Sequence, residues 1–234
     1  MSARVPVDKL PEHASVRAAM FLATRHALYA RLGIGSERDR ATRYWASLRD
    51  YHKSNDDDPL AIERSRFIAD VLVPALGLES LLEIGTNSGR NLGIVKQAHP
   101  SIRVKGIDVN PRALEHGRQR YPDVEFALQD ANDWTEPAGA WDAVLTMSVL
   151  DHVPDEAVVA LARNMAASAR YVICFELWDG ADAERALYKY SRDTRSLFER
   201  VGVRTERWEI APGQYDVEQS LLWLYVGETP AQAG

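Results

Sequence analysis

Cysteine is almost missing from this chain of 234 residues, which has only Cys174. A disulfide within the chain is therefore excluded, and so is a zinc or iron–sulfur site with four thiolate ligands from this chain. The six histidines offer no replacement, because no two of them have a metal-ligand spacing such as H-x-x-x-H. We expect no bound metal.

Long apolar runs are missing as well. No stretch approaches the roughly 18 apolar residues of a membrane-spanning helix. The first residues include Asp8 and Glu12 and lack the basic-then-apolar pattern of a secretion signal. We therefore expect a cytoplasmic protein with no membrane partner.

Basic residues are the minority among the charged ones, with 28 Lys and Arg against 34 Asp and Glu and a net charge of −6. They are concentrated in residues 1–53, which carry a net charge of +5 and leave −11 for the rest of the chain. The acidic bulk argues against a nucleic-acid partner, which would need a basic domain or stripe. The basic segment is typical of a solvated helical face, and it also fits a small acidic substrate with phosphate or carboxylate groups.

Helical spacing is found throughout residues 1–78, which we predict to be a separate helical segment. Apolar residues recur at steps of three and four over 14–32, and Ser36 is a candidate N-cap of a second helix. Asp58 and Pro59 are the residue types that begin a helix. They predict a third helix, and its residues that should face the core are Phe67, Ile68, Val71 and Leu72.

Short apolar runs alternate with helical patterns after Gly77, which predicts a parallel sheet covered on both faces. Two further runs near the end have no helix between them, which predicts a hairpin and one antiparallel strand. The predicted strands are 80–85, 104–109, 124–129, 142–147, 171–176, 203–210 and 220–226, and the predicted helices are 90–99, 111–120, 155–167 and 192–201.

The stretch LLEIGTNSGRNL (81–92) lies at the first strand-to-helix turn. Gly85 and Gly89 let the chain turn sharply and let a ligand approach the backbone. A dinucleotide fingerprint would read G-x-G-x-x-G, whereas Asn87 stands here between the two glycines. Glu83 would repel a pyrophosphate and favour a cationic amine or sulfonium ligand.

Two more acidic residues follow at the ends of the next two predicted strands. Asp108 comes 25 residues after Glu83, where a doubly wound fold places the acid that accepts the ribose hydroxyls of an adenosine. Asp130, followed by Ala131, could accept from an adenine amino group. Each acid could also be an ordinary cap or turn residue.

The segments LLEIGTNSGRNL, GIDVN, LQDAND and WDAVLTMSVLDHVPD, in this order and spacing, resemble the successive motifs of class I S-adenosylmethionine (SAM)-dependent methyltransferases. The resemblance covers about residues 79–228. It implies an α/β fold: a Rossmann-like, doubly wound, mostly parallel seven-stranded sheet with an antiparallel C-terminal hairpin strand. It also implies an N-terminal helical cap (1–78) over the substrate, and residues 229–234 would be a tail.

The resemblance implies SAM as cofactor and assigns its parts to particular residues. Asn87 departs from many members, which have glycine there. The implied contacts are Glu83, Gly85, Thr86, Asn87 and Gly89 around the methionine part, Asp108 at the ribose, Val109, Asp130 and Ala131 at the adenine, and Ser148 near the methionine part.

Candidates for the methyl acceptor's side of the site are fewer. His152 follows the fourth predicted strand and is the leading candidate for a catalytic base, since its ordinary pKa suits proton transfer near neutrality. In many members of the family, the histidine at this place has a structural or cofactor-side role. Candidate substrate contacts, for which core packing is the alternative, are Tyr44, Trp45, His52, Glu176 and Tyr188.

The prediction from sequence is a SAM-dependent methyltransferase that acts on a small-molecule acceptor and releases S-adenosylhomocysteine (SAH). Oxygen is favoured over nitrogen or carbon as the methylated atom. The alternatives are a non-catalytic SAM-binding sensor or partner protein, a nicotinamide-dependent oxidoreductase on a similar fold, and an aminopropyl transferase. A homodimer stays open.

Overall fold

The computed structural model describes residues 24–25, 27–29, 31–48, 56–178, 188–190, 192–212 and 221–230. Most of the first predicted helix lies outside them, and so does His52. Within the described residues, no helix is long and apolar enough to cross a membrane.

A seven-stranded sheet with the order β3-β2-β1-β4-β5-β7-β6 forms the centre of the molecule. β1 to β5 are parallel, and β7 is antiparallel to both β5 and β6, which confirms the predicted fold class. The strands are β1 (Ser80–Ile84), β2 (Arg103–Asp108), β3 (Glu125–Leu128), β4 (Trp141–Met147), β5 (Ala169–Trp178), β6 (Arg204–Ile210) and β7 (Leu221–Glu228).

Helices precede the sheet and connect its strands. The described helices are α1 (Glu37–Ser47), α2 (Pro59–Phe67), α3 (Val73–Leu76), α4 (Arg90–Ala98), α5 (Pro111–Arg120), α6 (Asp155–Ser168) and α7 (Thr194–Glu199). Two predicted caps are confirmed: Ser36 accepts a hydrogen bond from the Asp39 amide, and Asp58 accepts one from the Leu60 amide.

A π-helical stretch, Ile68–Leu72, joins α2 to α3. The prediction that Val71 faces the core is wrong, because its side chain is among the exposed apolar ones while Ile68 and Leu72 are buried. A π turn contains more residues than an α turn, so the apolar face shifts along the chain within this stretch.

Both faces of the sheet are buried, as expected of parallel strands between two helical layers. Side chains alternate along a strand, so Leu81 and Leu82 point to opposite faces and belong to different core clusters. Leu81 packs with residues of α4 and the π-helical stretch, and Leu82 packs with residues of α6 and α7.

Helix α1 lies across the carboxyl-terminal edge of the sheet and is held there by hydrogen bonds. The Thr42 hydroxyl donates to Asp130 Oδ2 (2.7 Å), and the Tyr190 hydroxyl donates to Glu37 Oε1 (2.7 Å). Arg38 forms an ion pair with Asp133. These contacts place α1 beside the strand ends from which the candidate site residues come. The division of the chain at residue 78 stays a prediction.

Candidate active site

A cavity of about 220 Å³ opens at the carboxyl ends of β1 to β4. The strand order reverses between β1 and β4, and ligands of open α/β sheets bind at such a switch point. α1 and α2 contribute Thr42, Trp45, Ala61 and Arg64 to its wall. The topology of the sheet therefore explains where the cavity lies.

Nine of the ten predicted cofactor contacts line this cavity. They are Glu83, Gly85, Thr86, Asn87, Asp108, Val109, Asp130, Ala131 and Ser148. Gly89 is the exception, since it is not among the lining residues. It begins α4 with φ +77°, and a Cβ atom there would overlap the Phe126 ring. Packing and backbone conformation therefore account for this glycine.

Left-handed backbone occurs at three positions in the wall of the cavity. Gly85 has φ +68°, and a Cβ on it would overlap the Val149 side chain. Asn87 and Ser148, at the ends of β1 and β4, also have positive φ values of 54° and 52°. Non-glycine residues rarely adopt this conformation, and such strain is typical of ligand-binding turns.

Glu83 is buried at the end of β1. Its carboxyl oxygens accept hydrogen bonds from the Thr86 hydroxyl (2.7 Å) and the Asn91 amide (2.5 Å). Burial raises the pKa of Glu83 to about 7, in spite of these two donors. A cationic group in the cavity would lower that pKa again and hold the carboxylate ionised.

Asp108 lies at the end of β2 and is tied to both neighbouring turns. Its Oδ2 accepts from the Asn87 amide and its Oδ1 from the Asn110 amide, each at 2.8 Å. Burial raises the pKa of Asp108. A carboxylate oxygen can accept more than one hydrogen bond, so both oxygens can still accept from ligand hydroxyls.

Asp130 follows β3 and is engaged by α1. Its Oδ1 accepts from the backbone and side-chain amides of Asn132 (2.9 and 2.8 Å), and its Oδ2 accepts from Thr42. α1 therefore already occupies part of the hydrogen-bonding capacity of Asp130. The adenine contact of Asp130 stays a prediction.

Three lining residues have buried side-chain polar atoms for which the described residues supply no hydrogen-bond partner. They are Arg64, with donors at Nε and Nη1, Asn87, with a donor at Nδ2, and Asn132, with an acceptor at Oδ1. Unsatisfied buried polar groups are costly and mark places for a ligand. Together with Glu83 and Asp108, they fit a ligand that has hydroxyls, ring nitrogens and a cationic centre, as SAM has.

His152 lines the cavity in a fixed orientation. Its Nδ1 is 3.0 Å from the Tyr188 carbonyl oxygen, which can only accept, so Nδ1 carries a hydrogen and Nε2 of the neutral ring has the lone pair. Nε2 lies 3.6 Å from Oδ1 of the buried Asp151. The ring also contacts Trp45, with 4.2 Å between ring centroids.

The predicted substrate contacts divide into two groups. Trp45 lines the cavity, whereas Tyr44, Glu176 and Tyr188 are not among its lining residues. Tyr188 is buried and packs against Tyr44 (5.5 Å between ring centroids), so their rings belong to a small core behind the wall.

Glu176 is also placed differently from the prediction. It is fully buried and accepts hydrogen bonds from the Val149 (3.0 Å) and Leu150 (3.1 Å) amides. Burial, and next the neighbouring Asp151, raise the pKa of Glu176 to about 8. We no longer expect it to contact the acceptor, because it supports the turn after β4 from behind.

Sequence reasoning missed Arg64, Arg90 and Met147, which line the same end of the cavity. The spacing of Ala61, Arg64 and Ser65 is that of one helical face, and all three are buried. That spacing could have distinguished Arg64 from the exposed Arg66 of the same helix.

The comparisons with known proteins agree with this geometry. Residues 81–171 match the family model described as "Methyltransferase domain". The chain is 34% identical over 99 residues to the trans-aconitate 2-methyltransferase of Methylobacterium radiotolerans. The aligned region covers 42% of this chain and 38% of that protein. The chain is 30% identical over 129 residues to the ubiquinone biosynthesis O-methyltransferase of Thiobacillus denitrificans, covering 52% of each. The chain therefore matches 38% and 52% of the length of these two relatives.

Solved structures show the same fold. The N-methyltransferase NodS from Bradyrhizobium japonicum WM9, in complex with SAH, superposes with a TM-score of 0.62 at 19% identity over 84% of this chain and 100% of that one. The magnesium protoporphyrin IX methyltransferase ChlM from Synechocystis PCC 6803, with bound SAM, superposes with a TM-score of 0.60 at 15% identity over 83% and 98%.

Residues 81–171 therefore match a methyltransferase domain, and the described part of the chain has the fold of structures solved with SAM or SAH bound.

Proposed function

We propose that this protein transfers the methyl group of SAM to an oxygen atom of a small-molecule acceptor and releases SAH. The observation that carries the proposal is the cavity at the switch point of the sheet, where nine predicted cofactor contacts lie together. A cavity of about 220 Å³ in a chain with a net charge of −6 favours a small acceptor over a nucleic acid.

The cofactor would be held by the ends of β1 to β4. When bound, SAM supplies a methyl group on a positively charged sulfur, so the reaction depends mainly on alignment with the nucleophile. The Glu83 carboxylate offsets positive charge at the end of β1. Asp108 accepts hydroxyl hydrogens, and the side-chain nitrogen of Asn87, which has no acceptor among the described residues, donates to the cofactor.

His152 is the base of the proposed reaction. Because the Tyr188 carbonyl fixes the hydrogen on Nδ1, Nε2 accepts the proton from the acceptor hydroxyl. Asp151 Oδ1, 3.6 Å from Nε2, stabilises the imidazolium that forms. A positioned base of this kind supports methylation of oxygen over a more nucleophilic amine, and one of the relatives is named as an O-methyltransferase.

The test is SAH formation from SAM with a panel of small hydroxy and carboxylic acids. With an acceptor in hand, His152→Gln is expected to lower kcat by roughly 100-fold or more while the Kd for SAH stays within about threefold. His116→Gln is the matched control, since His116 lies on α5 beside Asp56 and is not among the residues that line the cavity.

Two results would contradict the proposal. An unchanged kcat in His152→Gln would show that His152 is not the catalytic base. Binding of SAH without methyl transfer to any acceptor would instead support a non-catalytic SAM-binding protein.

A further inference from the structure

A short segment, residues 188–190, contacts both α1 and the turn after β4. Towards the turn it supplies two backbone groups: the Tyr188 carbonyl accepts from His152 Nδ1 (3.0 Å), and the Tyr190 amide donates to the Asp151 carbonyl (2.6 Å). Tyr188 has φ +55°, a conformation that non-glycine residues rarely adopt. The carbonyl that fixes His152 therefore belongs to a strained residue, which persists only when the surrounding structure supports it.

That support comes from α1. Ala41 of this helix packs with Tyr188 and Tyr190 in a small core that is separate from the two core clusters of the sheet. The Tyr190 hydroxyl donates to Glu37 Oε1 at 2.7 Å. Burial, and next this hydrogen bond, raise the pKa of Tyr190, so the hydroxyl stays a donor at neutral pH. Packing and one hydrogen bond therefore fix the segment to α1.

α1 also contacts His152 directly. The Trp45 ring lies 4.2 Å from the His152 ring, measured between centroids. The imidazole is therefore held on two sides, by Trp45 of α1 and by the Tyr188 carbonyl of a segment that is itself bound to α1. Both constraints depend on the position of one helix.

We propose that residues 188–190 couple the position of α1 to the tautomer of His152, with Tyr190 as the positioning residue. While Tyr190 is bonded to Glu37, the Tyr188 carbonyl stays in place, Nδ1 carries the hydrogen and Nε2 keeps its lone pair. Without that bond the carbonyl is held less firmly, and the tautomer with the hydrogen on Nε2, which cannot take a proton from the methyl acceptor, gains population. The inference rests on the proposed function where it makes His152 the base, but the tautomer can be measured without methyl transfer.

The tautomer is measured by NMR of the histidine ring nitrogens, in ligand-free protein labelled with nitrogen-15 histidine, at a pH at which the ring is neutral. The His152 signals are assigned by their loss in His152→Gln. Wild type should show the hydrogen on Nδ1. Tyr190→Phe keeps the ring in the small core and removes the hydroxyl. We expect it to raise the ratio of the Nε2–H to the Nδ1–H tautomer by roughly 2- to 10-fold, the usual range for one hydrogen bond.

The acceptor of this hydrogen bond gives an independent check, at an exposed position where substitution leaves the core intact. Glu37→Ala removes the acceptor, whereas Glu37→Gln keeps one in its amide oxygen. We expect Glu37→Ala to shift the ratio as Tyr190→Phe does, and Glu37→Gln to stay close to wild type. The double variant Tyr190→Phe/Glu37→Ala should equal either single variant, because both substitutions break the same bond.

Turnover is the second readout. With an acceptor in hand, Tyr190→Phe should lower kcat by roughly 2- to 10-fold and leave the Kd for SAH within about threefold, since Tyr190 is not among the residues that line the cavity. The matched control is Tyr171→Phe. Tyr171 is also buried, but it lies near the first residue of β5, at the opposite edge of the sheet, and should keep the wild-type ratio and kcat.

The inference is overturned by a wild-type tautomer ratio in Tyr190→Phe and Glu37→Ala, whatever happens to kcat. It is equally overturned if Tyr171→Phe shifts the ratio as far, because the effect would then follow from the loss of any buried hydroxyl. Hydrogen on Nε2 in wild type contradicts both the inference and the proposed base. If the ratio shifts as expected but wild type transfers no methyl group, the coupling is supported and only the proposed function fails.

Discussion

Side-chain direction assigns different tasks to buried acidic residues near the carboxyl ends of parallel strands. Glu83 and Asp108 face the cavity with raised pKa values and keep capacity for a ligand. Glu176, equally buried, is turned away and accepts from the amides of Val149 and Leu150. The position at a strand end does not decide the role of such a residue. The direction of its side chain and the donors around it do.

Asp108 gives the most direct prediction for a single residue. Asp108→Ala is expected to raise the Kd for SAH by roughly 5- to 150-fold, which corresponds to about 1–3 kcal/mol for leaving ligand hydroxyls without their acceptor. Calorimetric titration measures this change. Asp123→Ala, an exposed aspartate that is not among the lining residues, is the control and should bind as wild type. Equal affinity of a folded Asp108→Ala variant would refute the ribose assignment.

Glu176 gives a prediction about pH. Its pKa in the folded protein, about 8, is above the ordinary value of 4.5, so the folded state holds the proton more tightly than the unfolded state does. The stability that follows from this is complete below pH 4.5 and is lost as the pH rises through about 8. Glu176→Gln keeps an acceptor for the two amides and removes the ionisation.

We therefore expect Glu176→Gln to lose less stability than wild type between pH 6 and pH 8.5. The difference at the upper end should be roughly 1–3 kcal/mol, or about 2–4 °C in Tm for each kcal/mol. Thermal melts across this range measure it. Part of the fall should remain, because Glu83 titrates in the same direction. Glu115→Gln, at an exposed position on α5, is the control and should follow the wild-type curve. If Glu176→Gln also followed the wild-type curve, the Glu176 carboxyl would already be ionised at pH 6, which would contradict the prediction.

At the scale of elements, α1 depends on the core for its position. It is 11 residues long, a length at which an isolated helix is only marginally stable in water. Asn110 connects it to the sheet: its side-chain nitrogen donates to the Leu48 carbonyl (2.7 Å), and its side-chain oxygen caps α5 by accepting from the Arg112 amide (3.1 Å). One side chain therefore supports two helices beside the cavity.

The two functions of Asn110 can be separated by substitution. Asn110→Ser keeps a capping hydroxyl and loses the amide donor, whereas Asn110→Ala loses both. We expect Asn110→Ala to cost about 1 kcal/mol more than Asn110→Ser, the usual value of an N-cap. Hydrogen exchange in residues 37–48 should become faster in both variants. Unchanged exchange there would show that α1 is held without this contact.

Element types and most boundaries could be predicted because the apolar runs are short and bounded by charged residues or glycine. β1 was predicted as 80–85 and is Ser80–Ile84, and α5 agrees at both ends. The π-helical stretch was not predicted, because the spacing was read with the α-helical period throughout, so Val71 was placed on the wrong face.

The candidate site was predictable to the extent that backbone position determines it. Turns at strand ends brought Asn87 and Ser148 to the cavity, as expected from the order of the motifs. Side-chain direction was not predictable, so the sequence did not show that Glu176 and Tyr188 lie behind the wall of the cavity. Gly89 was assigned to the cofactor, although its contact with Phe126 is a long-range packing effect that spacing does not show.

At the scale of the whole molecule, the sheet brings distant parts of the chain to one cavity. The residues around it come from α1, α2 and the ends of four strands, and they span positions 41 to 153. The cavity combines carboxylates, amides with unused hydrogen-bonding capacity, a fixed imidazole and a buried guanidinium. This combination suits a cationic cofactor beside an acceptor that loses a proton.

The measurement that tests this account most directly is calorimetric titration of the wild-type protein with SAH and, in parallel, with NAD. The account predicts one SAH site per chain, with a Kd in the range of roughly 1 μM to 1 mM usual for enzyme ligands, and no binding of NAD. Binding of NAD without SAH would contradict it, because the cavity would then accept a pyrophosphate beside Glu83.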